Sequence, residues 1–427
     1  MPKLNRLIRR RGTEFRNYYV STPLCCPSRA TLLSGRYPHN HGVLTNDPGF
    51  PLFDQSAAVN LWLHRAGYET ALIGKYMNFY GVRDPTEVPR GWDEWNSPPG
   101  PSMYLMYRYY LNHNGHLNFY GSHNSDYKTD VYRRLTRRYI EHSSGHQPFF
   151  LYVNPLAPHD ENDAVQPANC HGPRPAHRDR RRFRHLRVRK TPSYNERDIS
   201  DKPRWIRRQP RFSNAMKREI GCSYRRTRRS LLAVDDLVGS TVKALRRAGE
   251  LKRTYVFYAS DNGFLEGQHR LEEKAAPYRE SVQVPLIVRG PGVSRGGSTR
   301  QLGSNVDLTP TFLDIANARG RATKPVDGIS LLPYLHGRSS RRRGYVLLEF
   351  FDPHKYHPYR GLQGNRYTYV QYPGEGADQT ELYDLANDPF QLENLAGKHR
   401  YRKVQDRLRK ELRRRQDCSG RSCHRMR

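Results

Sequence analysis

Nowhere in the 427 residues does an apolar run approach the ~18 that a helix needs to cross a bilayer, so no membrane span is expected. The amino terminus, Met1 to Arg11, is basic and lacks the apolar stretch of a secretory signal, so no export address is expected in the chain as written. None of the six cysteines (Cys25, Cys26, Cys170, Cys222, Cys418 and Cys423) forms a Cys-x-x-Cys pair, which sets aside zinc ribbons and thioredoxin-type sites. A Walker phosphate loop is missing. Neither Cys25 nor Cys26 opens a phosphatase-type Cys-x5-Arg loop, because Thr31 and Leu32 occupy the sixth places. Acidic residues are scarce: 41 Asp and Glu stand against 73 Lys and Arg, a formal net charge of +32. That balance favours an anionic partner, and its sign alone does not choose among nucleic acid, an acidic membrane surface and a polyanionic saccharide. No nucleic-acid module is visible, so no specific nucleic-acid partner is expected.

What is present is the texture of a globular protein large enough to bury a core: 36% apolar residues, 11% aromatic, with apolar segments recurring along the chain. Three short apolar runs read as buried strands: Thr70 to Lys75, Pro148 to Asn154 and Tyr255 to Ala259. Each delivers polar residues at its carboxyl end, namely Lys75, the Ala157-Pro158-His159-Asp160 run, and Ser260-Asp261-Asn262-Gly263. Ala57 to Ala66 has helical spacing before Gly67, and Arg228 to Arg247 carries a helical apolar stripe of Leu231, Val234, Leu237, Val238, Val242 and Leu245. Strands alternating with helices predict an α/β fold with a large, mostly parallel central sheet, whose strand ends hold the site.

Two stretches differ. Pro173 to Lys190 is crowded with Arg and His and reads as a solvated insertion. Beyond Pro333, Tyr345 to Phe350 and Arg366 to Gln371 read as antiparallel strands and Lys398 to Arg415 as a terminal helix. The expected organisation is a catalytic domain over 1–335 containing the 173–190 insertion, a small subdomain over 336–417 and a tail over 418–427. Cys418 and Cys423 are close enough to bridge in an exposed tail, or to remain apart.

The most specific segment runs from Pro23 to Arg36. Cys25-Cys26-Pro27-Ser28-Arg29-Ala30-Thr31-Leu32-Leu33-Ser34-Gly35 matches Cys-x-Pro-Ser-Arg-x-x-x-Leu-x-Gly, and with it the chain resembles the type I, formylglycine-dependent sulfatases. That resemblance implies an alkaline-phosphatase-like sandwich. It also implies that Cys25, not Cys26, is oxidised to formylglycine by a separate formylglycine-generating enzyme. The hydrated aldehyde has two geminal hydroxyls, one to attack sulfur and one to expel sulfate by collapsing back to the aldehyde. Arg29, at the start of the following helix, would hold the diol and the transferring group. A bare Cys-x-Pro-x-Arg could equally be a buried turn, and the downstream Leu and Gly weigh against that.

Further matches extend the resemblance. Ser260-Asp261-Asn262-Gly263 offers a carboxylate and an amide oxygen to a hard cation such as calcium, although Asp-Asn-Gly is also an ordinary turn. With Gly267-Gln268-His269-Arg270 and Lys274 beyond it, the segment resembles the sulfatase metal region, implying one calcium held by Asp261, Asn262 and the residue made from Cys25. Lys274, Lys75 and His159 are implied to contact sulfate, His159 also protonating the leaving oxygen. Lys75-Tyr76-Met77-Asn78 and His39-Asn40-His41-Gly42-Val43 resemble the branch of N-acetylglucosamine-6-sulfatases and heparan endosulfatases, which puts His39, His41, Asn78 and His269 at a substrate rim and a glycosaminoglycan-type sulfated saccharide in the site.

One departure stands out. Sulfatases begin with a strand ending in an Asp-Asp pair that supplies further metal ligands, and here Met1 to Val20 already resembles the segment just before the cysteine motif. The expectation is a longer form carrying that strand, the pair and an export signal, hence a secreted or extracytoplasmic protein. The competing expectation is a compromised homologue that only binds polyanions. A phosphoester or phosphonate hydrolase on the same scaffold is the third.

Overall fold

The computed structural model describes residues 1–161, 166–167, 170–339, 342–354, 356–373 and 379–424. The central layer consists of two sheets. One has the order β11-β1-β10-β7, from Thr13–Tyr19 (β1), Val256–Ala259 (β7), Leu286–Arg289 (β10) and Gly297–Ser304 (β11). The other has the order β5-β4-β3-β2-β6, from Glu69–Gly74 (β2), Glu94–Ser97 (β3), Tyr109–His113 (β4), His116–Tyr120 (β5) and Phe149–Asn154 (β6). A two-strand hairpin, Leu265–Glu266 (β8) with Glu272–Glu273 (β9), lies outside both. The sheets are mixed: β2 is parallel to β3 and β6, and β1 to β11, while β10 runs antiparallel to both β1 and β7.

Period-two alternation sorts the side chains into the two covering layers. From β2, Ala71 and Ile73 pack with Tyr132 and Ile140 of the helix Lys128–Ser143 and with Ala244 and Leu245 of the helix Asn214–Arg247. Leu72 faces the other way, toward Ala30, Trp62 and Leu313. In β10, Leu286 and Val288 join Leu308 while Ile287 meets Leu4 and Val242. The result is a helix–sheet–helix sandwich, as the alternating pattern predicts. The helical stripe at 228–247 is the last part of a helix of 34 residues that begins at Asn214, where the Ser213 hydroxyl accepts from the Met216 amide.

The two sheets do not join. Among the described residues β6 pairs only with β2, and β7 only with β10, so their free edges face each other. The five strand residues Phe149 to Val153, and all four of β7, are only half-buried, although they lie in mid-layer. Between them runs a cavity of about 1370 Å³, which reaches Cys25, Arg29, Lys75 and Lys274 beyond the carboxyl ends of both strands.

The carboxyl-terminal sheet is closed by comparison: Tyr345–Phe350 (β12), Tyr359–Gly364 (β13), Tyr367–Gln371 (β14) and Thr380–Asp384 (β15) pair antiparallel in that order. Tyr345 and Leu347 pack on Leu408 and Leu412 of the helix Arg402–Arg415, and Val346, Leu348 and Phe350 on Tyr278 and Val282.

The last cysteines are bridged, with Cα atoms 5.2 Å apart, but the segment is not an exposed tail. Both cysteines are buried, and the Cys418 carbonyl accepts from the Asn40 side chain at 2.7 Å. A second disulfide, Cys170–Cys222, ties the start of the Arg-rich insertion to the long helix, at a sequence separation of 52 that gave no signal. Within the insertion, Arg178 grips Asp130 and Asp236, so this stretch is anchored as well as solvated.

Candidate active site

Cys25 opens the helix Cys25–Ser34, whose N-cap, Leu24, provides no side-chain acceptor. The Cys26 amide is capped instead by the Asn46 side chain at 2.9 Å and Pro27 carries no N–H, so it is the helix dipole that favours negative charge there. Cys25 is buried, with its sulfur 2.9 Å from the Lys274 ammonium and 3.8 Å from the Asn262 amide oxygen. Burial would raise its pKa, but Lys274, Lys75 and a hydrogen bond from His159 outweigh that and hold the thiol well below its ordinary value. Cys26 differs although it is adjacent. It points into the apolar cluster around Trp62 and Trp95, and burial pushes it up to about 12.

Arg29, one turn on, is also buried and ties three elements together. Its Nε and terminal nitrogen donate to one Asp261 oxygen at 2.9 and 2.8 Å, and Nη1 donates to the carbonyls of Lys75 and Tyr76 at 2.7 and 3.1 Å. Burial alone would raise the Asp261 pKa, but Arg29, Lys274 and Lys75 reverse that and hold it far below the carboxylate range. Three strand ends thus meet at one helix N-terminus. Lys75 follows β2, Asp261 and Asn262 follow β7, and His159 follows β6 by five residues.

Two glycines make this approach possible. A Cβ on Gly74 would lie 2.1 Å from the Asn154 carbonyl oxygen, and one on Gly263 would lie 2.1 Å from that of Glu280. Lys274 sits in a segment where His269, Arg270, Glu273 and Ala275 all adopt positive φ, a run of strained backbone that brings the ammonium to the cysteine.

Cys25, Arg29, Lys75, His159, Asp261, Asn262 and Lys274 are therefore brought together. Asn78 joins them through Tyr104, whose hydroxyl accepts from the Asn78 amide at 2.9 Å and from the Lys75 ammonium at 3.2 Å. The Tyr104 ring also lies 5.3 Å from that of His159. Nothing in the sequence singled out Tyr104: it is one of 29 tyrosines, in a 3-10 turn just after a Pro-Pro-Gly-Pro run.

Three residues expected at the rim lie elsewhere, because each imidazole already has buried partners. His39 bonds the Glu349 carboxylate and the Cys418 carbonyl at 2.8 Å each. His41 accepts from the Val43 amide and bonds the Thr31 hydroxyl. His269 is fully buried, 2.6 Å from Glu196 and stacked on Tyr278. One further run, Gly292-Val293-Ser294-Arg295-Gly296, has the letters of a serine-hydrolase elbow. It connects β10 to β11, not a strand to a helix, and so lacks the geometry of one.

The site has an excess of cations. Arg29, Lys75 and Lys274 converge on one carboxylate, and Asp261 spends its charge on Arg29. The space left beside Cys25 therefore suits a tetrahedral anion. As a calcium site these residues fall short: Asp261 and Asn262 offer three side-chain oxygens, one of them already held by Arg29, where calcium takes ~6 to 8. No cluster of three or more His, Cys, Asp or Glu suited to a metal occurs among the described residues.

Residues 1–318 match the Sulfatase family model, and residues 267–418 match the model described as N-sulphoglucosamine sulphohydrolase, C-terminal. The chain is 35% identical over 374 residues to N-acetylglucosamine-6-sulfatase of Homo sapiens, covering 82% of this chain but only 63% of that one. It is 32% identical over 486 residues to the Capra hircus protein of the same name, covering 99% and 81%. Among solved structures, one in complex with its substrate D-glucosamine-2-N,6-O-disulfate superposes with a TM-score of 0.81 at 23% identity, covering 96% of this chain and 91% of that one. A phosphonate monoester hydrolase of Agrobacterium radiobacter superposes with a TM-score of 0.71 at 21% identity, covering 96% and 89%.

Proposed function

Since the chain belongs to the sulfatase family, we propose that it hydrolyses sulfate esters of a sulfated saccharide, with Cys25 converted to formylglycine by a formylglycine-generating enzyme. The observation that carries this reading is the surplus of buried cations around the Cys25 side chain at a helix N-terminus. Once formed, the hydrated aldehyde would supply an oxygen nucleophile that can later release sulfate. Lys274 and Lys75 hold the sulfate oxygens and stabilise charge as it moves to the leaving group. Arg29 fixes Asp261 and the ends of two strands. The His159 Nδ1 bonds the Asp160 carbonyl at 2.8 Å, so the bond to the Cys25 side chain falls to Nε2, which is thereby placed to pass a proton to the departing sugar oxygen. A saccharide is favoured by the relatives' names, among them N-acetylglucosamine-6-sulfatase. An extracytoplasmic location fits those called extracellular sulfatases.

We also infer that the active form fills the slot between β6 and β7 with one more strand. The slot is bordered by two unpaired edges and runs the six residues of β6, about 20 Å at ~3.3 Å per residue. A strand laid there would end beside Asp261, where carboxylates on it would raise the oxygen count toward what calcium requires. Calcium binding is expected of that form and not of the described residues alone. The test of function is a panel of aryl sulfate and aryl phosphate esters, run on protein coexpressed with the maturation enzyme and extended by an upstream strand. Preference for sulfate by about ten-fold or more supports the reading. Preference for phosphate or phosphonate esters would replace it with the phosphonate-hydrolase alternative, and binding without turnover with the non-catalytic one.

A further inference from the structure

A second cluster of cations lies away from the cysteine cluster. Arg6, Arg11, Arg246, Arg289 and Arg295, together with Leu7, line a cavity of about 300 Å³. They come from five places: the helix Pro2–Leu7, the turn Arg9–Arg11, the end of the helix Asn214–Arg247, the end of β10 and the loop that follows it. No carboxylate lines the cavity. Arg289 donates to the Leu7 carbonyl at 2.7 Å, and among the described residues none of the five forms an ion pair with an acid.

Elsewhere in this Arg-rich chain buried guanidinium groups are matched: Arg29 with Asp261, and Arg343 with both oxygens of Asp307. The five differ from these in being accessible: Arg289 is half-buried and Arg6, Arg11, Arg246 and Arg295 are exposed, so they form an open basic patch that converges without a counter-charge. A helix C-terminus explains a cation at Arg246 and none of the other four. Burial lowers the Arg289 pKa, and Arg246, Arg11 and Arg295 lower it further, so the group is electrostatically uncompensated.

The register of β10 separates this cavity from the reaction. Leu286 pairs with Ala259, next to the Asp261 end of β7, whereas Arg289 pairs with Val256 at the other end, roughly 10 Å further along the strands. No aromatic side chain lines the cavity, so it lacks the stacking faces by which single-stranded nucleic acid is held. Planar guanidinium forks match the oxygens of a sulfate group.

We propose that these five arginines form a non-catalytic exosite for the sulfate groups of a polysulfated saccharide, holding the chain at the far end of the central layer. The proposal rests on the saccharide reading above. Its test is R246E/R295E in the matured, strand-completed enzyme, with a heparin-type sulfated oligosaccharide as the binding probe and a small aryl sulfate as the turnover probe. The expected result is a loss of about ten-fold or more in oligosaccharide affinity at low salt, ~1.4 kcal/mol, with aryl sulfate turnover unchanged. The control is R187E/R189E in the Arg-rich insertion, an equal change of charge. Equal losses in the two variants would overturn the proposal in favour of diffuse attraction. So would a loss confined to duplex DNA. Failure of aryl sulfate turnover in the parent enzyme would count against the catalytic reading instead.

Discussion

The central layer and the carboxyl-terminal sheet both bury polar groups, and they do so in opposite ways. In the terminal sheet Glu381 is fully buried and accepts from the hydroxyls of Tyr278, Tyr372 and Tyr383 at 2.6, 2.6 and 2.5 Å, a network closed within itself. In the central layer three cations, Arg29, Lys75 and Lys274, face one carboxylate, Asp261, and one thiol, Cys25, so positive charge outnumbers its partners. The same contrast holds for backbone: β12 to β15 pair without a gap, while β6 and β7 present free edges across a cavity. A closed network is what stability selects. Unmatched charge and an open edge are costly unless something else completes them, so the incomplete layer is the functional one.

The largest expected effect breaks the comparison at its charged end. In the strand-completed enzyme, Asp261→Ala should cut turnover by about 10²- to 10³-fold or more, because it frees Arg29 and removes an anchor of the site. Glu381→Leu should instead leave kcat nearly unchanged while lowering stability by about 1 to 3 kcal/mol, since three buried hydroxyls lose their acceptor. Activity assays beside denaturant unfolding of each variant check both, and near-normal turnover in the Asp261 variant would contradict the site assignment.

Hydrogen exchange sharpens the backbone half. Amides of Phe149–Asn154 and Val256–Ala259 should exchange faster than those of β12 and β13 in this chain, and become protected once an upstream strand is added. Equal protection of both sheets without the added strand would argue that the slot is already closed.

A smaller effect concerns Tyr104. Tyr104→Phe removes the acceptor shared by Lys75 and Asn78, and should lower kcat by roughly ten-fold, ~1.4 kcal/mol, with the fold unchanged. An unaltered rate would make the residue packing alone.

The smallest is an acid-stability effect behind the cysteine helix. Burial, then Arg36 and His39, lower the pKa of His41 from 6.5 to about 3. Unfolding exposes a histidine that binds a proton below about 6.5, so stability from this residue is full above that pH and is lost as pH falls toward 3. His41→Gln should be less stable than the parent at pH 7.5 and flatten the decline between pH 6.5 and 4, as followed by thermal melts across pH.

Much of the site could be read before the fold, for a physical reason. Residues at strand ends are announced by the apolar run before them, which is how Lys75, His159, Asp261 and Asn262, which the fold brings to one place, could be picked out. The helix stripe at 228–247 and the strand Tyr345–Phe350 were legible from periodicity for the same reason. Tyr104 was not, because it acts from a turn with no pattern around it. His39, His41 and His269 do not line the cavity beside Cys25, and a motif match gives no information on which partner satisfies an imidazole. The Cys170–Cys222 bridge and the arginine cavity are assembled from segments distant in sequence, so neither has a local signature.

The most direct test is peptide mass spectrometry across Pro23 to Arg29 of protein coexpressed with an active formylglycine-generating enzyme. The account predicts thiol-to-aldehyde conversion at Cys25, the cysteine whose sulfur meets Lys274, and an intact thiol at Cys26. Conversion at Cys26, or two intact thiols with the maturation enzyme demonstrably active, would contradict it.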